Sequence, residues 1–330
     1  MPELSLIAAL VGGLVIMALA GDFLVNGAVT LARKMGVSPL LAGIFIVGFG
    51  TSAPEMIVSL DAALEGRPGL ALGNIVGSNI ANVWLVLALP ALITPLVAGG
   101  VGQKSALLAM LIATALWITI TAVMPLHAGV GILFIGLLVA YSIYTLITMR
   151  RAAKLGVDIS LISEVTEHEI SLARALVYVP IGIGGLVLGA HLIVEGGVGV
   201  ASFYGVSQEL IGLTLLAIGT SLPEIGAGVA AALRKKGDVL FGNVLGSNLF
   251  NILGAGGIVS FFGPVQIAPT FSQYDHWAMG AAALTIGVLI VTKARLGRLM
   301  GLLMLLIYAA YIYGLVNGFN ILALFDGAVS

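Results

Sequence analysis

The sequence predicts an all-α integral membrane protein whose ten transmembrane helices form two inverted-topology repeats of five. Three observations predict it: a composition too apolar for a water-exposed surface, a self-match at one fixed offset, and a one-sided distribution of cations. Of 330 residues, 60% are hydrophobic and 9% charged, and the mean hydropathy is +1.15. Too few polar groups are present to coat a globule in water. The apolar runs are continuous and rich in Leu, Ala, Ile and Gly, as lipid-embedded helices are, and lack the alternation of membrane β-strands.

A helix needs about 20 apolar residues to cross the hydrocarbon. Runs between charged residues and Gly/Pro breaks give expected spans over 4–31, 38–63, 70–95, 105–124, 129–149, 174–200, 208–232, 239–262, 277–293 and 299–321. Only Glu3 precedes the first run as a charge, and the run is too long for a cleaved leader, so a retained helix is expected. The second span contains GTSAPE at 50–55 and the third GNIVGSNIAN at 73–82; the seventh contains GTSLPE at 219–224 and the eighth GNVLGSNLFN at 242–251. Between the fifth and sixth spans lies the longest polar interruption, RRAAKLGVDISLISEVTEHEIS. It divides the chain into a first unit over 1–149, a short cytoplasmic linker over 150–171 and a second unit over 172–330. Zero cysteines exclude disulfides and thiolate ligands, and a net charge of −1 argues against a nucleic-acid partner.

The two units align at one offset, 219 − 50 = 169, with no gap across the motifs. Gly36, Val37 and Ser38 fall on Gly205, Val206 and Ser207, and each hexapeptide and decapeptide falls on its counterpart. Shared Leu and Gly arise by chance in membrane segments, but Glu, Pro, Thr, Ser and three Asn in register mark a tandem duplication. Five helices per unit is an odd number, so the second copy enters the membrane from the opposite side. Cations test this independently, because Lys and Arg collect in cytoplasmic loops. With both termini outside, the cytoplasmic side receives Arg33, Lys34, Lys104, Arg150, Arg151, Lys154, Arg174, Arg234, Lys235, Lys236, Lys293, Arg295 and Arg298; of the 14 cations only Arg67 falls outside.

The repeated motifs bring polar chemistry into this apolar setting. Proline removes a backbone donor and presses on the carbonyl four residues earlier, which for Pro54 and Pro223 belongs to Gly50 and Gly219. Both helices are therefore expected to kink or unwind there, freeing carbonyl oxygens that cost several kcal/mol each in hydrocarbon unless a ligand or neighbour satisfies them. Thr51 and Ser52, with Thr220 and Ser221, add hydroxyls on the same turn, and Glu55 and Glu224 follow each proline. Asn74, Ser78 and Asn82 recur at four-residue spacing, as do Asn243, Ser247 and Asn251, so each trio forms one polar stripe on a helix. Gly73, Gly77, Gly242 and Gly246 allow another helix to approach closely. Two acidic helices and two amide-striped helices can then enclose a cage of oxygens carrying two negative charges. Such a donor set, without Cys or His, suits a hard cation: calcium, which takes 6 to 8 oxygen ligands, or sodium.

These residues resemble the cation/calcium exchanger superfamily, in particular sodium/calcium exchangers and their prokaryotic relatives. GTSAPE, GNIVGSNIAN, GTSLPE and GNVLGSNLFN match its signature repeats, and the resemblance covers essentially the whole chain. It implies a calcium site between the second, third, seventh and eighth helices, flanked by sodium sites, and a first and a sixth helix that slide across that core to alternate access. It further implies that Glu55 and Glu224 are the principal calcium ligands, shared with sodium. Thr51, Ser52, Thr220, Ser221, Ser78 and Ser247 resemble hydroxyl and carbonyl donors, and Asn82 and Asn251 the central amides. Relatives can carry Asp at the place of Asn251, a departure that bears on sodium occupancy and proton coupling. The acidic GNxxE motif of the proton/calcium branch is absent, which favours sodium as counter-ion over a proton- or potassium-coupled alternative. Calcium and sodium are thus expected as transported substrates, with no organic cofactor, in the inner membrane of a prokaryotic cell.

Against each of these readings stands a plainer one. Buried acids can be held for packing, but a duplicated acid beside a proline at mid-membrane makes function the default. The amide stripes can serve as glue between helices. Asp22 and its repeat counterpart His191, with Asn26 and Glu195 one turn on, could line an ion pathway or relay protons, or serve packing at the interface. Asp61 and Glu65 read as entrance or surface charges, and His127, His168 and His276 as loop residues without a role. A channel would show a continuous polar path through both leaflets, whereas polarity here concentrates at one level. An intramembrane enzyme would need a nucleophile, an Asp pair or a metal-ligand cluster.

Overall fold

The computed structural model describes residues 4–66, 68–100, 102–154, 170–205, 217–267 and 271–317. The helices are α1 (Leu4–Lys34), α2 (Leu40–Leu64), α3 (Pro68–Ile93), α4 (Gln103–Val123), α5 (Ala128–Lys154), α6 (Leu172–Phe203), α7 (Leu222–Leu233), α8 (Gly237–Val259), α9 (His276–Val291) and α10 (Arg298–Val316). Among the described residues, 8 helices are long and apolar enough to cross a membrane, while α7 and α9 are apolar but shorter. The expected seventh span begins in residues outside the described ones; α7 covers its second half, behind the short helical piece Ala217–Gly219. Arg67, His168 and most of the expected linker also lie outside the described residues. The chain is a multi-span, all-helical membrane protein.

Burial ranks the helices. α8 and most of α3 are enclosed by protein, whereas α1, α5, α6 and α10 turn most of their apolar surface outward, as lipid-facing helices must. Small residues let the backbones meet. α1 and α6 run antiparallel in close contact: Gly196 rests on Leu6 and Leu10, Gly189 on Met17, Gly182 on Leu24, and Gly27 on Val179. α2 and α8 run parallel, with Gly246 on Ile44, Gly48 beside Ser247 and Gly254 against Met56. At one crossing glycine meets glycine, where a Cβ added at Gly43 would lie 2.9 Å from Gly242 Cα. The spacing of small residues expected from GNVLGS is thereby used, although Gly73 and Gly77 face open space.

Two small pairings tie the helix ends. β1 (Leu96–Val97) pairs antiparallel with β2 (Arg295–Leu296), while Leu126 bridges to Val265 at the opposite ends of α4 and α9. The sequence offset relates the two to within one residue, since 96 + 169 = 265 and 126 + 169 = 295, while Leu96 pairs with Leu296 and Val97 with Arg295. At the β1–β2 end, Gln103 Nε2 donates to Asp238 Oδ1 at 2.8 Å, and Arg298 Nε donates to Leu92 O at 3.0 Å. The same end gathers Arg33, Arg234 and Lys236; partial burial first, then the charges of the two arginines, hold the Lys236 ammonium below its usual range. One loop expectation fails. A π-helical stretch Phe271–Asp275 leads directly into α9, so His276 begins a helix and is buried, with Nε2 3.0 Å from Thr121 Oγ1.

Candidate ion-binding site

The polar motifs fall where the helices depart from α geometry. α2 opens with a π-helical stretch Gly43–Gly48 just before GTSAPE. In α3 and α8, π-helical stretches at Asn82–Val86 and Phe250–Ala255 hold the last amide of each stripe. A π-turn carries one residue more than an α-turn, so side chains on either side of it are re-aimed and carbonyls are released from the regular ladder.

The expected unwinding at both prolines is met in one repeat only. Phe49–Leu64 stays α-helical through Pro54, and the disturbance lies upstream in the π stretch. The α-helix thus runs on past the donor that Pro54 lacks, opposite Gly50 O, with the π stretch ending two residues before that glycine. In the second repeat Thr220 and Ser221 form a turn between Ala217–Gly219 and α7. Pro223 then sits in the first turn of α7, where its missing N–H costs no intrahelical bond.

Ser52 Oγ on α2 donates to Glu224 Oε1 on α7 at 3.1 Å, which joins the two motif carboxylate helices directly. The hydroxyls of Thr51 and Ser247 also face the Glu224 carboxylate, and Glu55 is near enough to Glu224 to feel its charge. Thr51 Oγ1 donates to Asn243 Oδ1 at 3.2 Å, and Ser247 Oγ to Gly48 O at 3.4 Å. On α3, Asn74 Nδ2 donates to Glu55 O and to Ser59 Oγ, both at 2.9 Å, and so fixes the backbone from which the Glu55 side chain departs. Thr51, Ser52, Glu55, Ser78, Asn82, Ser221, Glu224, Ser247 and Asn251 are all buried; Gly50 and Gly219 are buried and Thr220 half-buried.

Seven buried polar atoms of this set have no hydrogen-bond partner: Glu55 Oε1 and Oε2, Glu224 Oε2, Ser221 Oγ, Asn82 Oδ1, and Asn251 Oδ1 and Nδ2. Leaving a buried polar atom unpaired costs about 1–3 kcal/mol, more if it is charged. Six of the seven are oxygens, which is the donor set a hard cation takes. Among the described residues no three His, Cys, Asp or Glu side chains gather, so a cation here meets two carboxylates and a surround of neutral oxygens. Two negative charges balance one divalent ion and nearly balance a small number of monovalent ones.

Asp22 and His191 are placed elsewhere. Arg234 Nε donates to Asp22 Oδ1 at 2.5 Å, and Asn26 Nδ2 to Asp22 Oδ2 at 3.3 Å. His191 Nε2 lies 3.8 Å from Glu195 Oε2, with side-chain exposures of 74% and 62%. Asp61 and Glu65 are exposed at the end of α2. Sequence reasoning passed over Asn79 and Asn248, which stand one residue after the motif serines. Asn82 Nδ2 donates to Asn248 Oδ1 at 3.0 Å, and Asn248 Nδ2 to Asn79 O at 3.3 Å. The signal was present, since both amides recur in register in the decapeptides.

A family model described as sodium/calcium exchanger protein matches residues 5–147 and again 174–317. The chain belongs to the sodium/calcium exchanger family. It is a cation/calcium antiporter of the membrane. Among relatives, the sodium/calcium exchanger MaX1 of Methanosarcina acetivorans is 28% identical over 91% of this chain and 95% of its own length. The inner membrane protein YrbG of Escherichia coli is 30% identical over 93% and 97%. A solved structure of the sodium-calcium exchanger NCX_Mj, soaked with zero Na+ and Ca2+, superposes with a TM-score of 0.80 at 29% identity, covering 94% of this exchanger and 99% of that chain. In this chain the close α2–α8 contact sets the hydroxyls of Thr51 and Ser247 at one level, and the Ser52–Glu224 bond ties α2 to α7 beside it.

Proposed function

We propose that the chain exchanges calcium for sodium across a prokaryotic inner membrane by alternating access, through one site held by Glu55 and Glu224. The observation that carries this reading is the pair of buried carboxylates, joined through Ser52, with a surround of unpartnered buried oxygens. In it Thr51, Ser52, Thr220, Ser221, Ser78 and Ser247 supply hydroxyl or carbonyl oxygens, Asn82 and Asn251 supply amide oxygens, and Gly50 and Gly219 leave room at the carbonyls facing each proline. Calcium and sodium are the substrates.

The reading includes ten crossings in two inverted repeats, with both termini outside. Supporting it are the double match of the family model, at 5–147 and 174–317, the antiparallel α1–α6 contact, and the two end pairings related by the repeat offset to within one residue. An asymmetry supports alternating access. Gly50 and Gly219 both face α6, through Ile183 and Val194 respectively. The repeat counterparts of those two side chains are Leu14 (183 − 169) and Val25 (194 − 169) on α1; Val25 is buried, but Leu14 is 60% exposed. Like halves in unlike contacts have a second arrangement, with the roles of α1 and α6 exchanged, built from the same contacts.

The test is calcium-45 uptake into proteoliposomes with sodium, potassium or proton gradients imposed separately. An outward sodium gradient alone is expected to drive uptake. Uptake driven by potassium or protons and not by sodium would replace the counter-ion; uptake indifferent to all three gradients would overturn exchange.

A further inference from the structure

The amide of Asn82 is held from outside the ion site, and its hold is not repeated on the other side. Asn82 opens the π-helical stretch of α3, is 1% exposed, and has one partner: its Nδ2 donates to Asn248 Oδ1 at 3.0 Å. Its Oδ1 is buried and unpartnered. Asn248 is itself clamped, its Nδ2 reaching Asn79 O at 3.3 Å and Met110 Sδ at 3.7 Å. An amide whose nitrogen is tied to one side must present its oxygen to the other. That other side is read as the carboxylate pair, because Asn82 shares its face of α3 with Asn74, two turns earlier, whose Nδ2 donates to Glu55 O at 2.9 Å.

The repeat counterparts lack this clamp. Asn79 corresponds to Asn248 (79 + 169) and Asn251 to Asn82 (82 + 169). Asn79 Nδ2 donates to Ile75 O of its own helix at 2.7 Å, its Oδ1 is unpartnered, and both amide atoms of Asn251 are unpartnered. The two π-turns are therefore alike in backbone and unlike in amide control.

We propose that Asn248 is a positioning residue: it never touches the ion, and it fixes Asn82 so that the amide oxygen, not the nitrogen, faces the cation. This rests on the reading of Asn82 as an ion ligand. A cation is repelled by an amide nitrogen bearing hydrogens, so a freely turning amide is a poorer ligand than a fixed one. Asn248→Leu keeps the γ-branched shape, in a somewhat larger side chain, and removes the acceptor and the donors of the amide. Asn248→Ser, smaller and polar, replaces it in every measurement should the Leu variant not purify as a monodisperse protein.

Calcium affinity would be measured on the purified full chain in detergent, by calcium-45 binding, for wild type, Asn82→Ala, the Asn248 variant and the double variant. Each single change is expected to weaken binding by up to about tenfold, the scale of one neutral hydrogen bond or ligand. The double variant is expected to be no weaker than Asn82→Ala alone, within about twofold, since two changes acting through one group are not additive. Losses that multiply, or an Asn248 variant with wild-type affinity while Asn82→Ala is weakened, would overturn the positioning role and leave the site intact. Wild-type affinity in Asn82→Ala would instead remove Asn82 from the site, and the positioning proposal with it.

Discussion

Replacing Glu55 or Glu224 with Gln keeps the shape of the side chain and one oxygen while removing one unit of charge. The structure sets the scale of the effect. Both carboxylates are buried, at 1% and 0% exposure, so little water screens them. Taking an effective dielectric of about 20 and a separation of about 4 Å, one unit charge on the ion loses about 4 kcal/mol when one carboxylate charge disappears. At about 1.4 kcal/mol per factor of ten, that is nearly a thousandfold in binding for each unit of ion charge. Calcium, carrying two, is weakened more than sodium. Either Gln variant should therefore lose sodium-driven calcium-45 flux in proteoliposomes, while Asn82→Ala and Asn251→Ala, which remove neutral donors that water can replace, should retain measurable flux at raised calcium. Robust flux in Glu55→Gln and in Glu224→Gln would refute the charge argument and the site built on it.

Other consequences reach beyond the carboxylates. A methyl group at Gly43 meets the Val239 carbonyl and Gly242 Cα, backbone atoms that cannot swing aside; Gly43→Ala should lower the thermal midpoint by several degrees, from a cost of about 1–3 kcal/mol, whereas Gly73→Ala, with open space around it, should not. A lowered midpoint in both or neither would count against the α2–α8 contact. Because the chain has no cysteine, single cysteines report topology cleanly: one at Ser105 or Ser171 should be labelled only from the cytoplasm and one at Ser272 only from outside, and reversed labelling would end the inverted-repeat reading. Asp22→Asn should leave the pH profile of exchange unchanged if Asp22 serves only its pair with Arg234; a shifted profile would support the proton-relay reading instead. If three sodium ions replace one calcium, a net charge moves each cycle and valinomycin-set potentials should change the flux; indifference to voltage would sink that stoichiometry alone.

The fold was legible because lipid imposes few solutions. Continuous apolar runs gave an all-helical membrane protein, and among the described residues 8 helices are long and apolar enough to cross. Boundaries were less so. Nothing in the sequence around His276 distinguishes a loop from a π-helical lead-in, because Phe271–Asp275 carries mixed polarity either way. Pro54 misled for a related reason. Proline states that one donor is missing, and it does not state whether the chain breaks, as at Thr220–Ser221, or runs on as helix past the missing donor, as over Phe49–Leu64.

The site was legible to the depth at which residue type decides chemistry. Two carboxylates, paired hydroxyls and a stripe of amides at helical spacing are the residue types on which the hard-cation reading rests, and the structure buries all of them but Asn74 and Thr220, which are half-buried. Orientation is what residue type cannot carry. Asn82 and Asn251 are the same residue at the same repeat position, yet one amide is tied to Asn248 and the other has no partner. Likewise Gly50 and Gly219 are equivalent in sequence, and the nearest side chain to each is on α6, Ile183 and Val194 respectively. A duplicated sequence is symmetric by construction, whereas any single conformation of an inverted repeat that opens to one side is not. Under the proposed alternating access, the residues whose surroundings differ most from those of their counterparts are the ones whose contacts would change when the site opens to the other side. Asn82, Asn251, Ile183 and Val194 are the places where that change would be read first.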